Sequence, residues 1–188
     1  MSIKRILLDS NAYLRLANSF HPLLHEPFGK DQYALYLIPE FQKEFDKNPR
    51  LANKFGWVNQ PDYIENRKHR IRVTRFQREQ INLIYSYLWP HNISEGLGAS
   101  RIDVRALAYG DAIEIPVVTD DSQMRELGIT FDIEVWSLLD LLKIMYKSKR
   151  IELSNIKTLL NYLKYIKDWP YPSFEKDAKK VFKGLQFI

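Results

Sequence analysis

Short apolar runs alternate with segments of helical periodicity along this chain, and this alternation limits the fold more than any other feature. Four runs have the length and composition of buried strands: 3–8, 36–38, 115–119 and 133–136. Helices are predicted at 11–17, 39–46, 66–88, 101–113, 121–127, 137–146, 154–166 and 173–183. Strands separated by helices form parallel sheets that are covered on both faces. The sequence therefore predicts an α/β fold of three layers, α/β/α, around a central, mostly parallel sheet, with extra C-terminal helices.

The remaining stretches define the organisation of the domain. Residues 47–65 are polar and interrupted by prolines and a glycine, which predicts an irregular segment, and 89–98 contains Pro90 and two glycines, which predicts a linker. We expect one domain at 1–150 with a helical insertion at about 48–98. A helical extension at 151–188 is expected to pack on the same domain.

Composition excludes several classes of protein. The chain has 188 residues, 45% of them hydrophobic, so it can bury a core without disulfides or a structural metal. It has no cysteine, which rules out thiol catalysis and thiolate zinc sites. No apolar run is long enough for a signal-peptide core or a membrane span, so we expect a cytoplasmic protein without membrane contact. The net charge of +5 mildly favours polyanionic partners.

Acidic residues follow two of the predicted strands at the point where each strand ends. Asp9 follows the first strand, and Asp120 and Asp121 follow the third, in the sequence VVTDD. Asp103 lies in the first turn of the helix that Ser100 opens. Because the carboxyl ends of parallel strands meet at one edge of a sheet, these acids are expected to converge there, with Glu44 from an early helix. Such a cluster needs a cation to offset its repulsion, and oxygen ligands favour Mg²⁺ or Mn²⁺.

Each acid also has a structural explanation. Asp9, Asp120 and Asp121 are at positions where Asp caps the following helix, and Ser100 with Asp103 resembles a capping box. Glu44, close to Lys43 and Lys47, has the surroundings of a solvated charge.

Several segments together resemble the successive motifs of the PIN-domain nucleases. They are ILLDSNAYLRLA, IPEFQKEFD, GLGASRIDVRALAYGDAIEIPVVTDD and DIEVWSLLDLLKIM, in the family's order, and the resemblance covers about 3–146. It implies a metal-dependent endoribonuclease that hydrolyses phosphodiester bonds with one or two Mg²⁺ or Mn²⁺ ions. The long segment 47–98 and the helices beyond Lys147 depart from the shortest members, which are the toxins of toxin–antitoxin pairs.

The resemblance also implies roles for individual residues. The catalytic and metal-binding acids would be Asp9, Glu44, Asp103 and Asp121, with Asp120 as an additional ligand and Glu40 as the alternative to Glu44. Asn11, Ser100 and Thr119 would support them. The partners implied are single-stranded or structured RNA, an antitoxin protein and a second copy in a homodimer. The alternatives are a non-catalytic PIN-like module that binds RNA or protein and, with less support, an enzyme acting on small phosphates.

Basic residues indicate where RNA would bind. On the helix predicted at 66–88, Lys68, Arg72 and Arg75 share one face, while Arg101 and Arg105 flank Asp103. The alternative for the row of three is a solvated helix end. Nearby, Trp57 and Tyr63 either stack on bases or pack back on the core. The four histidines show no metal-ligand spacing and are expected to have ordinary structural roles.

Overall fold

The computed structural model describes residues 3–183, which form an α/β fold around a parallel sheet. Parts of the predicted domains, 1–2 and 184–188, lie outside the described residues. The strands are β1 (Lys4–Leu8), β2 (Tyr33–Tyr36), β3 (Val117–Val118) and β4 (Val135–Trp136), all parallel, in the order β2-β1-β3-β4. Leu7 pairs with Tyr36 on one side and with Val117 on the other, so β1 is central.

Ten α-helices surround this sheet within residues 3–183. They are α1 (Ser10–Leu16), α2 (Phe41–Asp46), α3 (Pro49–Lys54), α4 (Pro61–Lys68), α5 (Arg75–Ser94), α6 (Arg101–Ala112), α7 (Ser122–Thr130), α8 (Leu138–Lys147), α9 (Leu153–Tyr165) and α10 (Phe174–Val181). None of these helices has the length and apolar character needed to cross a membrane.

Alternate residues of β1 point into two separate hydrophobic cores. Ile6 and Leu8 pack with residues of α1, α2, α8, α9 and α10, while Leu7 packs with residues of α5, α6 and α7. This alternation follows from the pleat of a strand that is buried on both faces. The predicted three-layer α/β/α arrangement is therefore confirmed.

The C-terminal helices contribute to the first of these cores. Phe174 of α10 and Leu159 of α9 are fully buried in it. Asp168, which lies between the two helices, accepts a hydrogen bond from Arg15 Nε at 3.1 Å and forms an ion pair with Lys54 at 2.9 Å. These contacts hold the extension against α1 and α3.

Two predictions for the first third of the chain are wrong, each for an identifiable reason. The second strand is Tyr33–Tyr36 instead of 36–38, because the ladder with β1 ends at Tyr36 and Pro39 has no amide hydrogen to continue one. The irregular segment predicted at 47–65 contains α3, a 3₁₀ turn (Gly56–Asn59) and most of α4. The prolines there, Pro49 and Pro61, occupy the first helical position, where the missing amide costs nothing.

The long helix predicted at 66–88 is also wrong. The chain leaves the helical conformation after Lys68, and α5 begins anew at Arg75 because Thr74 and Gln77 form a capping box. Beyond Leu88, α5 continues through Pro90 to Ser94, where a linker was predicted. The row of Lys68, Arg72 and Arg75 on one helical face therefore does not exist.

A buried amide closes the turn between α5 and α6. Asn92 is 1% exposed and makes both possible hydrogen bonds with the backbone of Ala99, each 3.0 Å long. A buried polar side chain with both partners in place gives a well-defined geometry. The turn that leads into Ser100 and α6 is thereby fixed to α5.

We predict that Gly110→Ala destabilises the protein by about 1–3 kcal/mol, the usual cost of overpacking. A Cβ at Gly110 would lie 2.3 Å from Cγ2 of Val117, so α6 and β3 would have to separate. Urea unfolding measures the effect. Gly56→Ala is the matched control, since a Cβ there meets nothing within 4 Å. Equal stability of the two variants would contradict the close approach of α6 to β3.

Candidate carboxylate site

The candidate site lies where the carboxyl ends of β1 and β3 meet. The chain runs from β1 to β2 on one side of the sheet and later enters β3 on the other side, so a crevice is expected between β1 and β3. The amide of Asp9 donates to the carbonyl of Val118 at 3.1 Å. Asp9 and the residues that follow Val118 are therefore neighbours, as the sequence predicts.

Asp9 is the most buried acid of the site. It is 3% exposed, and its Oδ1 accepts a hydrogen bond from the amide of Ala12, which caps α1. Burial raises the pKa of Asp9 to about 7, against the opposing effects of hydrogen bonds from Thr119 and Ala12. The Asp103 carboxylate raises this pKa further. A carboxyl group in this environment favours the proton unless a cation replaces it.

Asp103 is the acid that connects the others electrostatically. It forms a capping box with Ser100, in which Ser100 N donates to Oδ2 at 3.0 Å and Asp103 N donates to Ser100 Oγ at 3.2 Å. Its pKa is raised by burial and by the charge of Asp121, while Ser100 lowers it. The same carboxylate raises the pKa values of Asp9 and Glu44. Asp103 is thus the acid whose charge interacts with those of Asp9, Glu44 and Asp121.

The turn after β3 orders Asp121. Thr119 is fully buried, and its Oγ1 accepts a hydrogen bond from the amide of Asp121 at 3.1 Å. Asp121 Oδ1 in turn caps α7 by accepting from the amides of Gln123 and Met124. Thr119 also lowers the pKa of Asp9 through its side chain. It contacts both acids, in line with the supporting role that the resemblance implies for it.

Helix α2 brings Glu44 to the site through a hydrogen bond that no motif in the sequence predicts. Ser10 Oγ donates to Glu44 Oε2 at 2.6 Å and so ties α2 to the residue next to Asp9. Burial raises the pKa of Glu44, Ser10 lowers it, and Asp103 raises it. The alternative acid, Glu40, instead forms an ion pair with Arg105 at 3.5 Å, and its Oε2 is buried without a hydrogen-bond partner.

These acids cap helices and keep free oxygens at the same time. Within residues 3–183, Asp103 Oδ1, Asp121 Oδ2 and Glu44 Oε1 accept no hydrogen bond. The two explanations of the acids, as caps and as ligands, are therefore compatible. Their hard oxygen atoms, and the raised pKa values of Asp9, Glu44 and Asp103, fit a divalent cation in chemical terms. A complete ligand group is not preformed, since no three acidic, His or Cys side chains in the described part of the chain are arranged to hold a metal ion.

Two residues that the resemblance assigns to the site, Asp120 and Asn11, form no side-chain hydrogen bond with its other acids among residues 3–183. Asp120 accepts from the amide of Leu138 at 3.3 Å, and the charges acting on its pKa are those of Arg15, Arg125 and Asp140. It therefore faces the start of α8, away from Asp103. Asn11 is exposed on α1, and its side chain makes no hydrogen bond to the described residues. Their roles at a metal site stay predictions.

The basic residues predicted to bind RNA are partly engaged elsewhere. Arg105 lies between the rings of Tyr85 and Tyr109 and pairs with Glu40. Arg101 is exposed over the ring of Trp89, near the start of α6. Of the three residues predicted to form a basic row, Lys68 forms an ion pair with Glu65 and Arg75 forms one with Glu79.

The aromatic residues of the loop pack on the protein. Trp57 Nε1 donates to Tyr162 Oη at 3.2 Å, and the rings of Trp57 and Tyr63 lie 4.6 Å apart against the first core. Of the two explanations for this pair, packing on the core is the one that the structure supports.

We predict that Asp9→Asn gains stability relative to the parent as the pH rises from 5 to 8 in a chelating buffer. In the folded parent, Asp9 binds a proton up to about pH 7, whereas its ordinary pKa is 3.8. Between these values the folded state holds more protons than the unfolded state, so the parent loses up to about 1.4 kcal/mol per pH unit through this group. Asn keeps the cap and has no charge. Urea unfolding at several pH values measures the difference, and a constant difference would contradict the raised pKa.

Comparison with known proteins does not assign a function to this chain. No protein-family model and no curated protein matches this chain. The crystal structure of FitAcB from Neisseria gonorrhoeae is similar, with 18% sequence identity, a TM-score of 0.46, and coverage of 71% of this chain and 97% of that chain. A functional assignment therefore depends on the carboxylates themselves.

Proposed function

We propose that this chain is a PIN-type endoribonuclease that hydrolyses phosphodiester bonds with one or two Mg²⁺ or Mn²⁺ ions. The observation that carries the proposal is the convergence of Asp9, Glu44, Asp103 and Asp121 at the crevice between β1 and β3. Asp9 pairs with Val118, Ser10 holds Glu44 beside it, Thr119 orders Asp121, and Asp103 lines the same void as Asp9. These are the acids to which the resemblance assigns the metal. A protein gains no stability from holding four like charges together unless a cation binds them.

Each residue has a defined task in this proposal. The four acids would hold the cation, which lowers the pKa of a bound water and stabilises negative charge on the scissile phosphate. Thr119 and Ser100 fix the orientation of Asp121 and Asp103 by hydrogen bonds to their backbone amides. Ser10 holds Glu44 beside Asp9. The chain thus supplies charge and orientation, without a serine or histidine nucleophile.

A second candidate is a non-catalytic PIN-like module that binds RNA or a protein. It is favoured by the capping bonds, since Asp9 and Asp121 cap α1 and α7 and Asp103 completes the capping box of α6, and by the lack of a preformed ligand group in residues 3–183. In such a module the acids would serve only to start α1, α6 and α7. The two candidates predict different effects on RNA cleavage when a capping Asp is replaced by the neutral Asn.

We predict that Asp103→Asn reduces Mn²⁺-dependent cleavage of a mixed RNA pool by at least about a hundredfold, roughly 2.7 kcal/mol of barrier. The amide keeps the cap but loses the charge at the centre of the acid cluster. Its stability without metal should equal or exceed that of the parent, because one member of a group of like charges is gone.

The matched control is Asp140→Asn, since Asp140 forms the same capping box with Ser137 at the start of α8. This variant should cleave within a few-fold of the parent. If Asp103→Asn also cleaves within a few-fold of a parent that is active, the metal-site role of Asp103 is wrong. If the parent itself cleaves no RNA with Mg²⁺ or Mn²⁺, the binding module is the better candidate.

We further predict that saturating Mg²⁺ or Mn²⁺ raises the melting temperature, and that Asp9→Asn with Asp121→Asn abolishes the rise. A ligand at a hundred times its dissociation constant stabilises the folded state by about 2.7 kcal/mol. Differential scanning fluorimetry measures the shift. An equal shift in the double variant would place the cation elsewhere.

The wider biological setting stays a prediction. An antitoxin partner would be encoded beside the gene and would copurify with the protein when both are expressed together. A homodimer would appear in light scattering as twice the mass of the 22.3 kDa chain. The cytoplasmic location stays a prediction from the sequence, and the RNA substrate shares the cleavage test of the proposed activity.

A further inference from the structure

A second cleft, rich in positive charge, lies apart from the acids. It has a volume of about 450 Å³, and among the described residues its lining includes no acidic side chain. It is lined by Arg5, His25, Tyr36, Lys68, His69, Arg70 and Arg72. We call it the basic cleft.

The break between α4 and α5 creates one wall of the basic cleft. Residues 69–74 are not helical, and along them buried and exposed side chains alternate. Ile71 is 4% exposed and Val73 packs beside it in the second core, while Arg70 and Arg72 are exposed on the other side. Arg5 donates from Nη1 to the carbonyl of Arg72 at 3.2 Å, which ties this wall to β1. The two arginines are therefore displayed by an anchored backbone.

Most of the charge in the basic cleft is not neutralised by the protein. Within residues 3–183, only Lys68 of its four cationic side chains has a carboxylate partner, Glu65. His25 adds a buried Nε2 atom that has no hydrogen-bond partner among residues 3–183, and its ring lies 4.9 Å from that of His69. Uncompensated like charges cost free energy. An anion would offset the repulsion between the cationic side chains.

The basic cleft adjoins a second cavity that reaches α2. This cavity, of about 200 Å³, shares Lys68, His69 and Arg70 with it. Leu37, Ile38 and Phe41 line the second cavity and also lie beside Asp9 and Asp103. One layer of buried apolar side chains therefore separates the cationic side chains from the acids.

We propose that the basic cleft binds backbone phosphates of the single-stranded RNA whose scissile bond lies at the carboxylate site. The phosphate chemistry follows from the cleft alone, because arginine forks bind phosphate oxygens in pairs. The identity of the strand rests on the proposed nuclease function. A strand is favoured over a free anion because the cationic side chains line two adjoining cavities, which gives room for more than one phosphate.

The test is binding of a fluorescently labelled single-stranded RNA to the full chain in EDTA, measured by anisotropy over a range of salt concentrations. We expect Arg70→Gln with Arg72→Gln to weaken binding at least about tenfold. The slope of log K against log salt should fall by about 1.4, since each phosphate contact with a single strand contributes about 0.7.

Lys147→Gln with Lys164→Gln is the matched control, because it removes the same charge from exposed positions on α8 and α9 that line neither cavity. Its affinity should stay within about threefold of the parent. The proposal is overturned if the arginine variant binds like this control, or if the parent does not bind RNA. Complete displacement of the RNA by inorganic phosphate at constant ionic strength would assign the cleft to a free anion and overturn it too.

Cleavage by the same proteins in Mn²⁺ separates this proposal from the nuclease function. If the parent cleaves, the arginine variant should have a raised KM and an unchanged kcat. Loss of binding in the variant without cleavage by the parent would support the basic cleft and reject the nuclease. If the parent cleaves RNA but the arginine variant binds RNA as the parent does, the nuclease function is supported and the basic cleft is rejected.

Discussion

The parallel pairing of β1 with β3 is the constraint on which the rest of the structure depends. It joins the two halves of the sheet, separates the two cores, and brings Asp9 next to the turn that contains Thr119 and Asp121. The same pairing buries Asp9 between layers of helices, which is the main cause of its raised pKa. Sheet topology and the electrostatics of the site therefore have one origin.

Three helices, α1, α6 and α7, begin with an acid of the site as cap or capping-box partner. Helix N-termini carry partial positive charge, so each one stabilises the carboxylate that caps it. This stabilisation explains how the fold tolerates neighbouring acids, of which Asp103 raises the pKa of Asp9 and Asp121 raises that of Asp103. The caps are part of the site's electrostatics and do not compete with it.

Local sequence patterns predict the parts of the site that depend on one element each. The strand that ends at Asp9 and the Ser100–Asp103 box are of this kind. The hydrogen bond from Ser10 to Glu44 joins two helices, so no local pattern contains it. The adjacent acids Asp120 and Asp121 differ because neighbouring side chains of an extended segment point to opposite sides, so only Asp121 acts on Asp103. The break at 69–74 did have a local signal, the Thr74–Gln77 box, which helical periodicity obscured.

The bonds between Asn92 and Ala99 make α5 and α6 a single unit, in which the position of Asp103 is set from the C-terminal end of α5. The chain between α2 and α5 enters this unit at Thr74, about 20 residues before that end, and the unit packs on the sheet through its own side chains. The segment 47–68 instead packs on the other side of the sheet, where Phe55 and Val58 are buried in the first core. In evolutionary terms, the two sides of the sheet can change separately: this segment varies within the limits of the first core, and the register of the acid with β1 depends on the second.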